Sequence, residues 1–207
     1  MKIQFKYPIL IALLSTTLSA HALVYEIGLD FSYDKQIYGS NRLNSNVSRS
    51  YSAGVSTYLF ELTAIDFNIS SSKDTTTQNE RYDAGGGYDL VSQQNRMETD
   101  VYGIGIKQML MPRKYRLSPM ISVGYARQFL NYTTDITLEN RASSVRTSGS
   151  SGTSKDRVDS MFGAFILQYR VTDRLSFKGT AKTLFPAVEW NKARDNIKYS
   201  VGISWIF

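Results

Sequence analysis

The chain has 207 residues, a length suited to one domain or two. Hydrophobic residues make up 42% and charged residues 20%, which argues against disorder, and a mean hydropathy of -0.26 is too low for a bundle of membrane-spanning helices. The net charge of +6 is mild, and no basic stripe or acidic block stands out, so nucleic acid is not an expected partner.

Residues 1–22 read differently from the rest. Lys2 and Lys6 give a positive start, Ile9 to Leu18 is a short apolar run, and Ala20-His21-Ala22 has the small-x-small pattern that signal peptidase cleaves after. An apolar run this short falls below the roughly 18 residues that a spanning helix needs. The expectation is a removed signal over 1–22 and an exported domain over 23–207. Cysteine is absent and the one histidine, His21, lies in that signal, so the exported part lacks a thiol and an imidazole. Disulfides, thiolate or imidazole metal sites and the commonest general base are thereby excluded, and no cofactor is expected.

From Val24 onward the recurring pattern has period two. The 14 Tyr, 10 Phe and 14 Gly, with only 4 Pro, favour strands and turns. In the first segment Tyr25, Ile27, Leu29, Phe31 and Tyr33 share one face, while Glu26, Gly28, Asp30 and Ser32 share the other. The split repeats over Tyr51 to Leu59, Thr63 to Ser70, Tyr102 to Lys107, Leu117 to Ala126, Met161 to Tyr169, Leu175 to Lys182 and Ile197 to Phe207. The sixth segment is the least clean, because Phe162 and Ile166 interrupt its small face. These spacings predict eight antiparallel strands near the roughly 9 to 11 residues that a tilted membrane strand requires.

The connections alternate long and short. Asp34 to Ser50, Ser71 to Met97 and Leu130 to Val158 are long and Phe185 to Asn196 is intermediate, whereas Phe60-Glu61, Met109 to Lys114 and Val171 to Arg174 are short. Up-and-down barrels of the outer membrane have this rhythm, with short turns on the periplasmic side and long loops outside. A soluble eight-stranded barrel would put its bulky residues inward. Here one face is crowded with Gly, Ala, Ser, Thr and charges, which suits a narrow lumen, and the bulky face then has to meet lipid. Tyr25, Tyr169, Trp205 and Phe207 fall near the short-turn end and Tyr33, Tyr51, Phe129 and Tyr199 near the other, as interfacial aromatics would.

The expected fold class is therefore all-β, an eight-stranded antiparallel up-and-down transmembrane β-barrel. Glu26, Asp30, Asp66, Lys107, Lys178, Lys182 and Lys198 face its lumen and are expected to form a charge network. Asp30 would pair with Lys198 or Lys182, and Glu26 with Lys178. Such a network would plug the barrel, although the same charges would also suit a narrow pore.

The last residues, Ser200 to Phe207, resemble the C-terminal signal read by the barrel-assembly machinery, with Gly202, Trp205 and Phe207 in the matching places. Over 23–207 the layout resembles the small eight-stranded outer-membrane family that includes the OmpA membrane domain, OmpX and Ail-like surface proteins. That resemblance implies contact with outer-membrane lipid and lipopolysaccharide, help from the assembly machinery, and a structural or surface-interaction role with an unspecified extracellular ligand. Enzymes of comparable size in the outer membrane rely on histidine, and no G-x-S-x-G, HExxH or phosphate-loop motif occurs, so a non-catalytic protein is expected.

Overall fold

The computed structural model describes residues 24–39, 41–186 and 197–207. The expected signal over 1–22 lies outside the described residues. The strands are β1 (Val24–Tyr38), β2 (Asn44–Tyr58), β3 (Thr63–Gln78), β4 (Tyr82–Gly85), β5 (Tyr88–Met109), β6 (Leu117–Asn140), β7 (Arg146–Ser150), β8 (Ser154–Arg170), β9 (Leu175–Pro186) and β10 (Ile197–Ile206). All pairings are antiparallel. Eight strands close a ring in the order β1, β2, β3, β5, β6, β8, β9, β10, with β10 returning to β1. Strand β4 continues the line of β3 along β5, and β7 continues the line of β8 along β6.

Alternation fixes which face points where. Ile106 and Val123, neighbours in register, are 56% and 55% exposed, whereas Ser122 beside them is 1% exposed. The outer surface is a continuous band of Leu29, Phe67, Ile69, Tyr102, Ile104 and Phe165, all exposed. Water would drive such a surface to aggregate, and a hydrocarbon layer accommodates it. Aromatic pairs mark the upper edge of this band, with Phe31 and Tyr51 at 5.2 Å between ring centres and Tyr102 and Phe129 at 5.9 Å. Among the described residues no helix is long and apolar enough to cross a membrane, so the strands carry the crossing.

Polar, Gly-rich long segments can either be mobile or extend the strands outward, and the structure shows the second course over residues 34–50, 71–97 and 130–158. The ladders run through them, from Tyr38↔Asn44 in the first hairpin to Asp83↔Asp89 in the second and Glu139↔Arg146 in the third. Ser- and Thr-rich stretches outside the membrane need no apolar face, so they lack the alternation that marks a half-buried strand. The second hairpin reverses at Gly85, Gly86 and Gly87, with φ of 80°, 60° and 82°, values that side chains disfavour. Because β5 and β6 stay paired up to Tyr88↔Asn140, the second and third hairpins form one wall standing above the barrel rim.

Candidate functional site

The lower lumen is filled by two kinds of side chain. Tyr58, Ala64, Met109, Met120, Ala164 and Ile166 form an apolar floor near the short turns. Above it lies a chain of polar contacts. Arg113, on the turn between β5 and β6, sets its guanidinium 3.9 Å from the Tyr58 ring centre, and the Tyr58 hydroxyl donates to Glu26 Oε2 at 2.6 Å. Lys107 Nζ then stands 3.9 Å from Glu26, 3.4 Å from Asp66 and 2.5 Å from Ser56 Oγ, and that hydroxyl in turn donates to Asp66 Oδ1 at 2.6 Å. Glu26, Asp66 and Lys107 are all buried. A lone buried charge is costly, so two carboxylates around one ammonium, with a phenol and a hydroxyl added, form a mutually satisfied set.

Higher up, Lys178 Nζ meets Asp30 Oδ2 at 2.9 Å, and Ser52 donates to the same oxygen at 3.3 Å. Lys182 donates to Asn68 Oδ1 at 3.0 Å and lies 4.7 Å from the Phe162 ring centre. Lys198 reaches Asp74 at 3.5 Å. The pairings differ from those expected. Asp30 takes Lys178 rather than Lys182 or Lys198, and Glu26 takes Lys107 rather than Lys178. Strand neighbourhood alone points to the expected pairs, but Lys107 on β5 reaches Glu26 on β1 across the lumen. Sequence reasoning also left out Tyr58, Ser56, Asn68 and Arg113. Tyr58 was legible as the large member of a small face, while Arg113 sits in a turn and carried no signal.

The lumen narrows from its outer mouth downward. A cavity of about 730 Å³ at the outer mouth leads to one of about 300 Å³ between Ser72 and Lys182, and the space at the level of Asp66 and Lys107 shrinks to about 70 Å³. The barrel is thus a cup that narrows to a charged layer around Asp66 and Lys107.

The wall above the rim is held by a second charge system on its outer face. Arg141 contacts Asp83 at 2.7 Å and Asp89 at 2.5 Å; Arg81 contacts Glu139 at 2.5 Å, and Arg146 contacts Glu139 at 2.8 Å. Three cations and three carboxylates therefore alternate across β4, β5, β6 and β7. The Arg141 guanidinium holds the Asp83 carboxyl below its ordinary value, and the Arg146 hydrogen bond does the same for Glu139. Bonds to Asp89 and Asp83 push Arg141 upward. The first hairpin is tied in through Asn44, which is 5% exposed. It donates to Glu80 at 3.0 Å and accepts from the Asn79 amide at 3.1 Å.

Gly202 lies on β10 facing Asp30, where a Cβ would meet the Leu29 carbonyl and Asp30. Close strand packing thus supplies its own reason for a glycine at this position. Trp205 pairs in register with Ile27 and Leu175, and Phe207 N donates to Tyr25 O at 2.9 Å.

No protein-family model matches the sequence, and no curated protein does. Solved structures do resemble it in shape. The N-terminal β-barrel domain of Pseudomonas aeruginosa OprF aligns with a TM-score of 0.50 at 12% identity, over 89% of this chain and 97% of that one. A major outer membrane protein of Thermus thermophilus gives 0.44 at 10% identity, over 90% and 100%. Ail, the attachment invasion locus protein of Yersinia pestis, gives 0.43 at 9% identity, over 89% and 99%. The chain has the closed eight-stranded antiparallel fold of the small outer-membrane β-barrels.

Proposed function

We propose that the protein is a non-catalytic barrel of the bacterial outer membrane that presents a rigid β-wall at the cell surface, in a structural or surface-interaction role. The observation that carries this reading is the inside-out distribution of side chains, a greasy exterior around a lumen sealed by Glu26, Asp66 and Lys107. The short-turn end then faces the periplasm, and the wall of β4, β5, β6 and β7 projects outward among lipopolysaccharide and any extracellular ligand. Gly202, Trp205 and Phe207 would be read by the assembly machinery during insertion. The test is electrophoresis of detergent-solubilised membranes with and without boiling, joined to protease treatment of whole cells. A heat-dependent mobility shift, with cleavage confined to residues 79–92 and 133–154 and the β9–β10 connection, supports the reading. A chain that stays monomeric in buffer without detergent overturns it.

A narrow pore is the second reading, favoured by the wide outer mouth. Steady conductance in planar bilayers, altered by Lys182→Ala, would establish it over the plug.

A further inference from the structure

One seam of the ring differs from the other seven. The β1–β10 ladder holds only from Glu26↔Ile206 to Phe31↔Val201. Above that point both strands go on, but with other partners. Strand β1 stays with β2 up to Tyr38↔Asn44, and β10 stays with β9 through Ser200↔Thr180 to Ile197↔Thr183. Had the register continued, Tyr33 would face Tyr199; among the described residues the two instead flank a split in the ladder, 51% and 72% exposed.

The 730 Å³ cavity of the outer mouth reaches this split. It is bordered by Ser32, Tyr33 and Asp34 on the β1 side and by Ile197, Lys198 and Tyr199 on the β10 side. Phe31 is the last residue of β1 paired with β10 and belongs to the upper aromatic ring of the apolar band, in contact with Tyr51. The split therefore begins where hydrocarbon gives way to headgroups, the level at which aromatic side chains collect.

We propose that this split is a lateral portal through which the vestibule takes a single-chain zwitterionic amphiphile, a molecule of the lysophospholipid type, from the outer leaflet. The inference rests on the membrane-spanning reading above. The cavity has two chemistries. Met97 and Tyr132 on the far wall, with Tyr33, Tyr199 and Ile197 at the entrance, offer an apolar path for one tail. Lys198 and Arg96 offer positive partners and Asp34 and Asp74 negative ones, Lys198 and Asp74 standing 3.5 Å apart, and this balanced set suits a headgroup bearing both signs better than one bearing a single charge. The volume falls in the range of about 300 to 1,000 Å³ usual for small-molecule sites. It holds one tail and a head rather than two tails.

The test uses the full barrel in lipid nanodiscs with a lysophosphatidylcholine that carries a photoreactive diazirine on its chain. After photolysis, labelled residues are located by mass spectrometry. The portal predicts adducts at Met97 or Tyr132 in addition to those on the outer band at Leu29 and Tyr102. Because the chain has no cysteine, Tyr33→Cys with Tyr199→Cys introduces a single thiol pair across the split. Oxidation of that pair is expected to abolish the Met97 and Tyr132 adducts and leave the band adducts intact, and reduction to restore them. Where the bond does not close, alkylation of Tyr199→Cys alone with a bulky maleimide blocks the same entrance and is expected to give the same loss. Band adducts without vestibule adducts overturn the proposal, as do vestibule adducts that survive closure, since these enter from the open mouth. Absence of band adducts overturns the membrane-spanning reading itself.

Discussion

Phe162 occupies the space that Gly124 leaves: a Cβ on Gly124 would lie 2.7 Å from Phe162 Cε1, and one on its register partner Gly105 would lie 2.8 Å from Cζ. The ring enters the lumen from β8 and lies over two bare backbones beside it, Gly124 of the neighbouring β6 and Gly105 of β5 beyond. Lys182 sits over the same ring, 4.7 Å from its centre. One aromatic side chain thus fills the middle of the barrel and gives a cation a partner.

Phe162→Ala is therefore expected to cost about 3–5 kcal/mol of unfolding free energy, as truncation of a buried Phe usually does. Gly124→Val is expected to fail to fold, because its Cβ meets the Ile104 carbonyl and the Gly105 Cα, which are backbone and cannot retreat. Adding Phe162→Ala does not rescue it. Band-shift electrophoresis across a urea series reads both effects. A Gly124→Val variant that folds normally would show the packing argument to be wrong.

The Lys107 cluster gives a second expectation. Lys107→Met leaves Glu26 and Asp66 buried with no cation within 4 Å among the described residues, and breaking a buried ion pair this way costs about 3–5 kcal/mol. Neutralising the carboxylates together with the lysine, as Lys107→Met with Glu26→Gln and Asp66→Asn, is expected to recover most of that loss, because the penalty comes from stranded charge. A triple variant as unstable as the single one would mean that the site is held by shape rather than charge.

The sequence made the barrel legible because each strand inside the membrane has to show one greasy and one small face. Phe162 and Ile166 broke that rule for a reason visible only in three dimensions. Phe162 compensates for glycines on strands 38 or more residues earlier in the chain, and Ile166 belongs to the apolar floor with Tyr58 and Met120. Charge partners were less legible than charge positions. Facing inward follows from alternation, whereas Lys107 finding Glu26 depends on how the strands stagger around the lumen, which no local pattern encodes. The outer wall was hidden for a different cause, since its stability comes from ladders and ion pairs between polar residues rather than from an apolar stripe.

That wall is expected to loosen in acid. Asp83 and Glu139 are held below their ordinary values of 3.8 and 4.5 by Arg141 and Arg146. A lowered folded-state value contributes order above the ordinary value and loses it as pH falls through the folded one. The wall is therefore fully braced at neutral pH and is released below about pH 4. A nitroxide on Ala142→Cys should report slow motion at pH 7 and faster motion at pH 3, with Arg141→Gln showing the faster motion already at pH 7. Because Asp83 and the bracing arginines Arg141 and Arg146 are exposed, 1 M salt should weaken the brace at neutral pH as well. A label whose motion ignores pH, salt and Arg141→Gln would assign the order of the wall to its backbone ladders alone.

The greasy exterior supports the sharpest contrast. Ile104 stands in the middle of the outer band, between Phe67 on β3 and Tyr125 on β6, while Tyr82 stands on the wall above it. Both side chains are about half exposed, at 47% and 53%, so in water an arginine would be tolerated equally at either place. In a bilayer the two sites differ. Ile104→Arg puts a cation near the hydrocarbon midplane and is expected to cost roughly 2–4 kcal/mol, whereas Tyr82→Arg is expected to cost close to nothing. Reversible unfolding in lipid vesicles, followed by the fluorescence of Trp190 and Trp205, measures the difference. Equal stability of the two variants would mean that the band does not face lipid, and the membrane-spanning reading of the barrel would fall with it.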